Sequence, residues 1–383
     1  MKSKKKNYNF FFIILITVLF ILSTAVIFYS FSIAIKENGS WDLPYHATKL
    51  FLNKINPYNY VAQEGFAFNR SPYAHSAYLI YAPITFFEHK SAKILWALLN
   101  IFFTIITLII FSKFYKLSYR NSILISLIYL CSLPFRVTIG NGQISIFILF
   151  LYSAFFIENK NLKIFILGLS FIKYNFAIIT SLYFLKKYGL KYFLISCLFL
   201  VIGWLIFSLY LNENPVQTLF QPIQTAQSVF HHSYSRGDLF TLLSILNSKN
   251  LILNFNIINI FLCLCFAIFL TMNIVKVPVD NNLLIISLLA IANLLIVPHI
   301  IYDYVFLLPS LFYSWKYKKS VLGVISIGII FYFWFGIKII YYLNYYIFSF
   351  PELNPIPSIT EKVINFIMLL ILFYSNLSLK KNK

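Results

Sequence analysis

Charge is scarce in this chain, and its scarcity excludes an ordinary soluble enzyme. Only 11% of the 383 residues are charged and 60% are hydrophobic, whereas a soluble domain carries about 25% charged residues. Apolar runs near or above the roughly 20 residues that cross a bilayer as a helix recur along most of the chain. The predicted fold class is therefore an all-α polytopic membrane protein.

The patterns of disulfide frameworks, metal centres and nucleotide sites are also missing. All four cysteines lie inside apolar runs, where they are interpreted as small hydrophobic side chains. The six histidines form no set with metal-ligand spacing. No glycine-rich loop follows a strand pattern, so a nucleotide site has no support. We expect neither a metal nor a cofactor.

Basic residues are abundant in comparison, and their positions indicate topology. Lys and Arg number 31 against 11 acidic residues, and they cluster between the apolar runs, as the positive-inside bias requires. Nucleic-acid binding is therefore not expected. The N-terminal lysines precede an apolar run without a cleavage site, which predicts a retained first span. Composition typical of an AT-rich bacterial genome adds the expectation of a plasma (inner) membrane protein with both termini cytoplasmic.

The apolar runs predict a single transmembrane domain over residues 1–383 with about ten spans. The predicted spans are 10–35, 91–112, 121–135, 143–157, 191–211, 253–275, 282–297, 301–315, 320–345 and 362–379. Residues 164–185 are interrupted by Lys173, which favours a re-entrant hairpin over a full span, because only the hairpin returns the following lysines to the cytoplasm. Two outer loops, 36–90 and 212–250, are long enough to carry an active site.

Asp42 is the first candidate for chemistry, and two interpretations of it remain open. The chain has four aspartates, and three of them are assigned to the outer side. Asp42 follows the first span, and Pro44 lies just after it. Asp is a favoured helix N-cap and Pro is tolerated in the first turn, so Asp42 either caps a short helix or serves as a base at the outer boundary.

Two further clusters combine ionisable residues at the outer side. His231, His232 and Arg236 precede Asp238 and offer donors suited to a phosphate, although a solvated loop with Asp238 as a helix cap is equally compatible. His299 and Asp303 have the spacing i, i+4, which places both on one helical face. Ionisable residues this close to hydrocarbon usually face a cavity, and the same reasoning applies to Lys173.

In their order along the chain, these residues resemble glycosyltransferase family 87, whose members have the C-type fold. Asp42 with Tyr45, followed by Asn56-Pro57-Tyr58, is similar to the early family pattern, with Lys54 in place of a glycine. The stretch from Phe68 through Arg70 to Pro72 resembles a following aromatic-proline segment. Later matches, each short, are Gly142-Gln143, the run from Gly168 to Lys173 without its usual proline, and the segment from Pro298 to Tyr304 with valine in place of serine.

The resemblance implies transfer of a sugar, often mannose, from a polyprenyl-phosphate carrier to a lipid or glycan acceptor on the outer face. It implies Asp42 as the general base, with His299, Arg236 and Lys173 on the donor phosphate. The remaining candidate substrate-binding residues are Tyr45, Tyr58, Arg70, His231, His232, Gln143 and Asp303. Direct displacement of a phosphate leaving group needs one carboxylate as base, whereas glycoside hydrolases need a pair of carboxylates.

The main alternative is a transporter or flippase of a lipid-linked sugar, in which Lys173 and Asp303 would line a route across the bilayer. A transporter spreads its polar residues through the membrane, whereas an enzyme gathers them on one face. The polar residues gather on the predicted outer face, and we find no internal repeat of the kind common in transporters. Both observations favour the enzyme, and an inactive scaffold protein remains a third possibility.

Overall fold

A computed structural model describes residues 2–59, 73–229, 235–247, 255–347 and 356–379. Within these ranges the chain is helical and contains no β-strand, as the composition predicts. Three of the candidate site residues, Arg70, His231 and His232, lie outside the described residues.

The N-terminal part of the chain contains ten helices up to residue 211. They are α1 (Lys2–Ile35), α2 (Tyr45–Leu52), α3 (Ser76–Tyr81), α4 (His89–Tyr115), α5 (Tyr119–Leu130), α6 (Leu133–Gly140), α7 (Ser145–Leu151), α8 (Lys160–Leu169), α9 (Ala177–Tyr188) and α10 (Leu190–Leu211). Short 3-10 turns continue α3 and α7. The helices from α5 to α9 are short because polar or proline-containing segments interrupt the apolar sequence.

The remainder of the described chain contains nine helices. They are α11 (Pro215–Thr218), α12 (Gln221–Val229), α13 (Leu239–Asn247), α14 (Phe255–Val275), α15 (Asn282–Ile296), α16 (Leu308–Lys316), α17 (Val321–Phe331), α18 (Ile337–Ile347) and α19 (Ile359–Leu379). A π-helical turn joins α17 to α18 without a break. A 3-10 turn over Ile301–Leu307 precedes α16.

Six described helical segments are long and apolar enough to cross a membrane, so the predicted count of ten is not confirmed. They are Phe10–Ile35, His89–Tyr115, Leu190–Leu211, Ile258–Val275, Val321–Ile347 and Ile359–Leu379. A seventh is added if α5 and α6, which are bent by 55° at their junction, form one broken span. The predicted spans 143–157 and 282–297 correspond to the shorter apolar helical segments Ser145–Phe156 and Asn282–Ile296.

The segment around Lys173 doubles back on itself, as the predicted hairpin requires. Helix α8 ends in a 3-10 turn before Lys173, and α9 begins soon after it. The two far ends meet, since Lys160 Nζ lies 4.7 Å from the ring centroid of Tyr188 and 3.9 Å from that of Tyr192. At the tip, the Ala74 N–H donates to Ile172 O at 3.2 Å. Lys173 is therefore placed beside the loop that follows the first span.

The loop after α1 is held against the end of α6 by main-chain bonds. Ser40 N–H donates to Gly140 O, and Asp42 N–H donates to Asn141 O, each at 3.0 Å. Gly142 has φ +68°, and a Cβ on it would lie 2.9 Å from Ser40 Cβ, so both the conformation and the close approach require glycine. These contacts fix where Asp42 enters the protein.

Candidate active site

Asp42 is a carboxylate with an unused acceptor. Its Oδ2 atom is buried and has no hydrogen-bond partner among the described residues. The side chains of Gln143 and Asn141 lie within hydrogen-bonding reach of the carboxyl group. Burial raises the pKa of Asp42 from 3.8 to about 7, although Gln143 and the nearby Lys173 charge both oppose the rise. A carboxyl group with this pKa is poised to accept a proton near neutral pH.

The helix-cap interpretation of Asp42 is wrong. Helix α2 begins at Tyr45, its N-cap residue is Pro44, and no side chain caps it. The main chain of Asp42 is instead bonded to Asn141, which directs the residue toward the end of α6. The carboxyl group therefore has no role in terminating the helix.

Tyrosine and glutamine side chains surround this carboxyl group. Tyr73 Oη donates to Gln143 Oε1 at 3.1 Å, and Tyr302 also lies within hydrogen-bonding reach of Gln143. Tyr73, Tyr81 and Tyr302 are all buried and within electrostatic range of Asp42. Tyr81 Oη has no hydrogen-bond partner among the described residues. The group around Asp42 is thus rich in hydroxyl donors of the kind that bind sugars.

Lys173 and Asp303 form a buried ion pair beside Asp42. The Lys173 ammonium group binds Asp303 Oδ1 and donates to Ser145 Oγ at 2.6 Å. Ser145 Oγ in turn donates to Asp303 Oδ1 at 3.1 Å. Lys173 also lies 4.9 Å from the ring centroid of Tyr302. Both charges are within electrostatic range of Asp42, so the structure brings together three residues that are remote in sequence.

The expectation that His299 and Asp303 share a helical face is wrong. Helix α15 ends at Ile296, and the next turn begins only at Ile301, because Ile300 is extended with φ −122° and ψ −179°. His299 therefore precedes the turn that carries Asp303. Asp303 Oδ2 lies 3.4 Å from the Ile300 N–H, while Oδ1 faces Lys173. The two side chains remain within electrostatic range of each other.

His299 is buried, and both of its ring nitrogens face partners within the protein. Burial lowers the pKa of His299 below its usual 6.5, although Asp238 and Asp303 oppose this effect. Its Nδ1 faces Val297 O at 3.3 Å and its Nε2 faces Tyr304 Oη at 3.4 Å. A carbonyl oxygen only accepts, so the neutral ring donates from Nδ1 and accepts at Nε2.

Arg236 lies next to His299 and is engaged by a carboxylate. The Arg236 N–H donates to His299 O at 3.0 Å. Its guanidinium donates to Glu361 Oε1 at 3.1 Å and also bonds to the hydroxyl of Tyr341. The Nε atom is buried without a hydrogen-bond partner among the described residues. The Nε–H of Arg236 is therefore an unused hydrogen-bond donor.

Asp238 is a helix cap. This was one of the two interpretations of its loop. Asp238 Oδ1 accepts from the Thr241 N–H at 2.8 Å, and Oδ2 accepts from the Ser235 hydroxyl. Both oxygens are thus used at the start of α13. The phosphate role proposed for this loop then rests on Arg236 among its described residues.

Tyr45 and Tyr58 have their hydroxyl groups bonded to main-chain oxygens. Tyr45 Oη donates to Phe87 O and Tyr58 Oη donates to Tyr73 O, each at 2.7 Å. Asn56, in the same motif as Tyr58, donates to the Glu213 carboxylate at 2.6 and 2.8 Å. This motif links the two long loops that contain Asn56 and Glu213, and Tyr58 holds the main chain of Tyr73.

Several residues of the site were not identified from the sequence. Ser145, Tyr73 and Tyr81 lie in apolar or aromatic stretches where a single hydroxyl gives no distinctive pattern. Tyr302 lies in the segment from Pro298 to Tyr304 that was singled out, so its neighbourhood was predicted although its role was not. Only the hairpin at Lys173 and the end of α6 bring these side chains together.

Comparison with known protein families gives one match. The family model of glycosyltransferase family 87 matches residues 73–298, more than half of the chain. The matched range contains Gln143, Lys173 and Arg236, whereas Asp42 and Asp303 lie outside it. No curated protein and no solved structure matches the chain. The resemblance drawn from the motifs is confirmed. The chain belongs to glycosyltransferase family 87, and it is a membrane glycosyltransferase.

Proposed function

We propose that the protein transfers a sugar, a hexose such as mannose, from a polyprenyl-phosphate carrier to a lipid or glycan acceptor on the outer face of the plasma membrane. The observation that carries this proposal is the buried, unpartnered Oδ2 of Asp42 beside the Lys173–Asp303 pair. A buried polar atom without a partner needs an explanation, and in this proposal a bound substrate group supplies it.

Asp42 acts as the general base in this proposal. The acceptor hydroxyl gives its proton to the Asp42 carboxylate while its oxygen forms a bond to the anomeric carbon. The bond between that carbon and the phosphate oxygen breaks, and the phosphate leaves with the electron pair. Because the phosphate is a good leaving group without protonation, one carboxylate is sufficient.

The surrounding residues have distinct proposed roles. Arg236, Lys173 and His299 bind the departing phosphate, whose negative charge strengthens each of these hydrogen bonds. Lys173 then moves at least one of its hydrogen bonds from Asp303 to the phosphate. Gln143 and Asp303 bind sugar hydroxyls, and Tyr45 and Tyr58 hold the wall of the site. Arg70, His231 and His232 are proposed substrate-binding residues from the resemblance alone.

The donor class is tested with the purified full chain in lipid nanodiscs. Polyprenyl phosphate carrying a radiolabelled hexose is supplied with a total bacterial lipid extract as the acceptor source. We expect label to move to a new product and free polyprenyl phosphate to accumulate. The same hexose linked to a nucleotide should give no product. Transfer from the nucleotide donor in nanodiscs free of polyprenyl phosphate would contradict the proposed donor.

A further inference from the structure

A short helical segment after α10 exposes apolar side chains that the described part of the chain leaves uncovered. Helices α11 and α12 continue one another, since the Leu219 N–H donates to Pro215 O at 3.1 Å and the Gln224 N–H donates to Phe220 O at 3.0 Å. We name residues 215–226 the interfacial segment. Its exposed apolar side chains are Val216 (72% exposed), Leu219 (42%), Phe220 (56%) and Ile223 (50%).

The four exposed apolar residues lie on one face of the interfacial segment. Their spacing, i, i+3, i+4 and i+7, is that of an apolar stripe on an α-helix. The opposite face is buried and consists of Thr218, Pro222 and Thr225. Gln217 and Gln224 are exposed along one edge of the stripe. A helix with an apolar face and a polar edge is suited to the boundary between hydrocarbon and water.

The buried face of the interfacial segment is bonded to the side of α10. Trp204 Nε1 donates to Pro215 O at 2.9 Å and to Thr218 Oγ1 at 3.1 Å. The same Thr218 hydroxyl lies 2.6 Å from Ser208 Oγ. His75 Nε2 donates to Thr218 O at 3.0 Å. These bonds hold the segment beside α10 and not beyond its end.

The contacts with α10 set the depth of the interfacial segment in the membrane. Helix α10 is a membrane-span candidate of 22 residues, about 33 Å long, which is close to the roughly 30 Å of hydrocarbon in a bilayer. Trp204 and Ser208 precede its last residue, Leu211, by seven and three positions. They therefore lie about 10 Å and about 5 Å closer to the middle of the membrane. The segment begins at this depth, within the edge of the hydrocarbon.

The apolar stripe is continuous with a surface of α10 that faces lipid. Leu205 and Leu209 each follow one of the residues that hold the segment, Trp204 and Ser208, and both leucines are exposed. Exposed leucines on a membrane-spanning helix contact acyl chains. The interfacial segment lies next to them, so its stripe extends this lipid-covered surface toward the membrane boundary.

The main chain and the composition of the segment fit contact with acyl chains. Hydrocarbon tolerates only main-chain groups that are bonded within the protein. Pro215 has no N–H, and the Val216 N–H donates to Asn214 Oδ1 at 2.9 Å. The N–H groups of Gln217 and Thr218 donate to Asn214 O at 3.0 and 3.2 Å. No Lys, Arg, Asp or Glu occurs between residues 214 and 226, so the stripe has no preference for headgroups of one charge.

We propose that the interfacial segment inserts its apolar stripe into the acyl chains of the leaflet next to the candidate active site. The glutamines along its edge then lie toward the headgroups. Asn56 Nδ2 donates to Gln221 Oε1 of the segment at 3.1 Å, and Asn56 belongs to the motif whose Tyr58 holds the main chain of Tyr73. Insertion of the segment therefore anchors the site at the membrane boundary.

The test measures the depth of single nitroxide labels by electron paramagnetic resonance, on the full chain in phosphatidylcholine vesicles. The four native cysteines are free and are first replaced with alanine. Labels are attached to Val216→Cys, Phe220→Cys or Ile223→Cys, and in matched controls to Gln217→Cys or Gln224→Cys. Power saturation compares collisions with O₂, which concentrates in hydrocarbon, and with a water-soluble nickel chelate.

We expect the three labels on the stripe to collide with O₂ and to be shielded from the nickel chelate, at a depth of roughly 5–10 Å. The two labels on the glutamine edge should be several-fold more accessible to the chelate. Adding phosphatidylglycerol should leave this pattern unchanged, because the segment has no charge. A melting temperature close to wild type verifies that each labelled variant is folded.

Equal access of the nickel chelate to all five labels would overturn the inference, because the segment would then lie in water. Low access of both reagents to the stripe would also overturn it, by showing that protein covers this face, and broadening between labels would identify a second copy as the cover. Insertion that requires phosphatidylglycerol would contradict the role given to the acyl chains. The experiment uses no sugar donor, so none of these results bears on the proposed function.

Discussion

Asp42 and Asp238 are the same residue type in similar places, and the structure uses them differently. Each lies in a loop and shortly precedes a short helix. Asp238 has both oxygens bonded, to the Thr241 N–H and to the Ser235 hydroxyl. Asp42 leaves Oδ2 buried without a described partner, and burial raises its pKa to about 7. Asp238 caps a helix with its carboxylate, whereas Asp42 has a carboxylate oxygen that accepts no hydrogen bond from the described residues.

The difference shows that sequence context alone does not separate a cap from a catalytic group. Both aspartates fit the preference for aspartate near a helix start. Pro44 takes the N-cap position of α2, so Asp42 is displaced from the helix and its main chain binds Asn141 instead. What distinguishes the two residues is therefore the loop to which each one is tied.

Substitution at Asp42 should give the largest effect on catalysis. Asn cannot accept the proton, and loss of a general base costs roughly 10²- to 10⁴-fold in rate. We expect Asp42→Asn to fold, to bind the donor lipid and to lose transfer by that factor in a reconstituted assay. Asp238→Asn is the matched control and should transfer sugar within a few-fold of wild type. Near-normal transfer by Asp42→Asn would remove Asp42 from the catalytic role.

The Lys173–Asp303 pair should give the largest effect on stability. Removing one partner of a buried ion pair leaves an uncompensated charge, which costs about 3–5 kcal/mol. Lys173→Met and Asp303→Asn should each lower the unfolding midpoint in detergent strongly, because each leaves the charge of the other residue buried and uncompensated.

A double-mutant cycle distinguishes a true pair from two independent contacts. The variant that carries both Lys173→Met and Asp303→Asn should be more stable than Lys173→Met alone, since no charge is left unpaired. Additive losses would show that the two side chains do not depend on each other.

Asp238 should give a smaller, purely structural effect. Replacing a helix cap with alanine costs about 0.5–2 kcal/mol, and asparagine caps nearly as well as aspartate. We expect Asp238→Ala to lower the free energy of unfolding within that range and Asp238→Asn to lower it much less. The corresponding pair at Asp42 should behave differently, because Asp42 caps nothing. A stability loss in Asp42→Ala that Asp42→Asn restores would revive the cap interpretation.

The sequence predicted the membrane class and the family. These depend on apolar run length and on ordered polar motifs, and both survive folding. The hairpin at Lys173 was also predictable, because the lysines that follow it had to return to the side of Lys160. The predicted count of ten spans is not confirmed, since apolar runs such as 143–157 form only short helices among the described residues.

The contacts within the site were not predictable from the sequence. The pairing of Lys173 with Asp303 joins residues 130 positions apart, and no local pattern encodes it. The expected shared face of His299 and Asp303 failed because the extended backbone at Ile300 interrupts the helical spacing.

The pH dependence of sugar transfer by the wild-type chain tests the central claim most directly. The base works only when ionised, and the pKa of Asp42 is raised to about 7. With saturating donor, the rate should therefore rise about tenfold per pH unit below pH 7 and level off above it. Asp238→Asn should give the same profile. A rate that is already level at pH 5, or a limb near pH 7 that persists in the residual activity of Asp42→Asn, would contradict the assignment of Asp42 as the base.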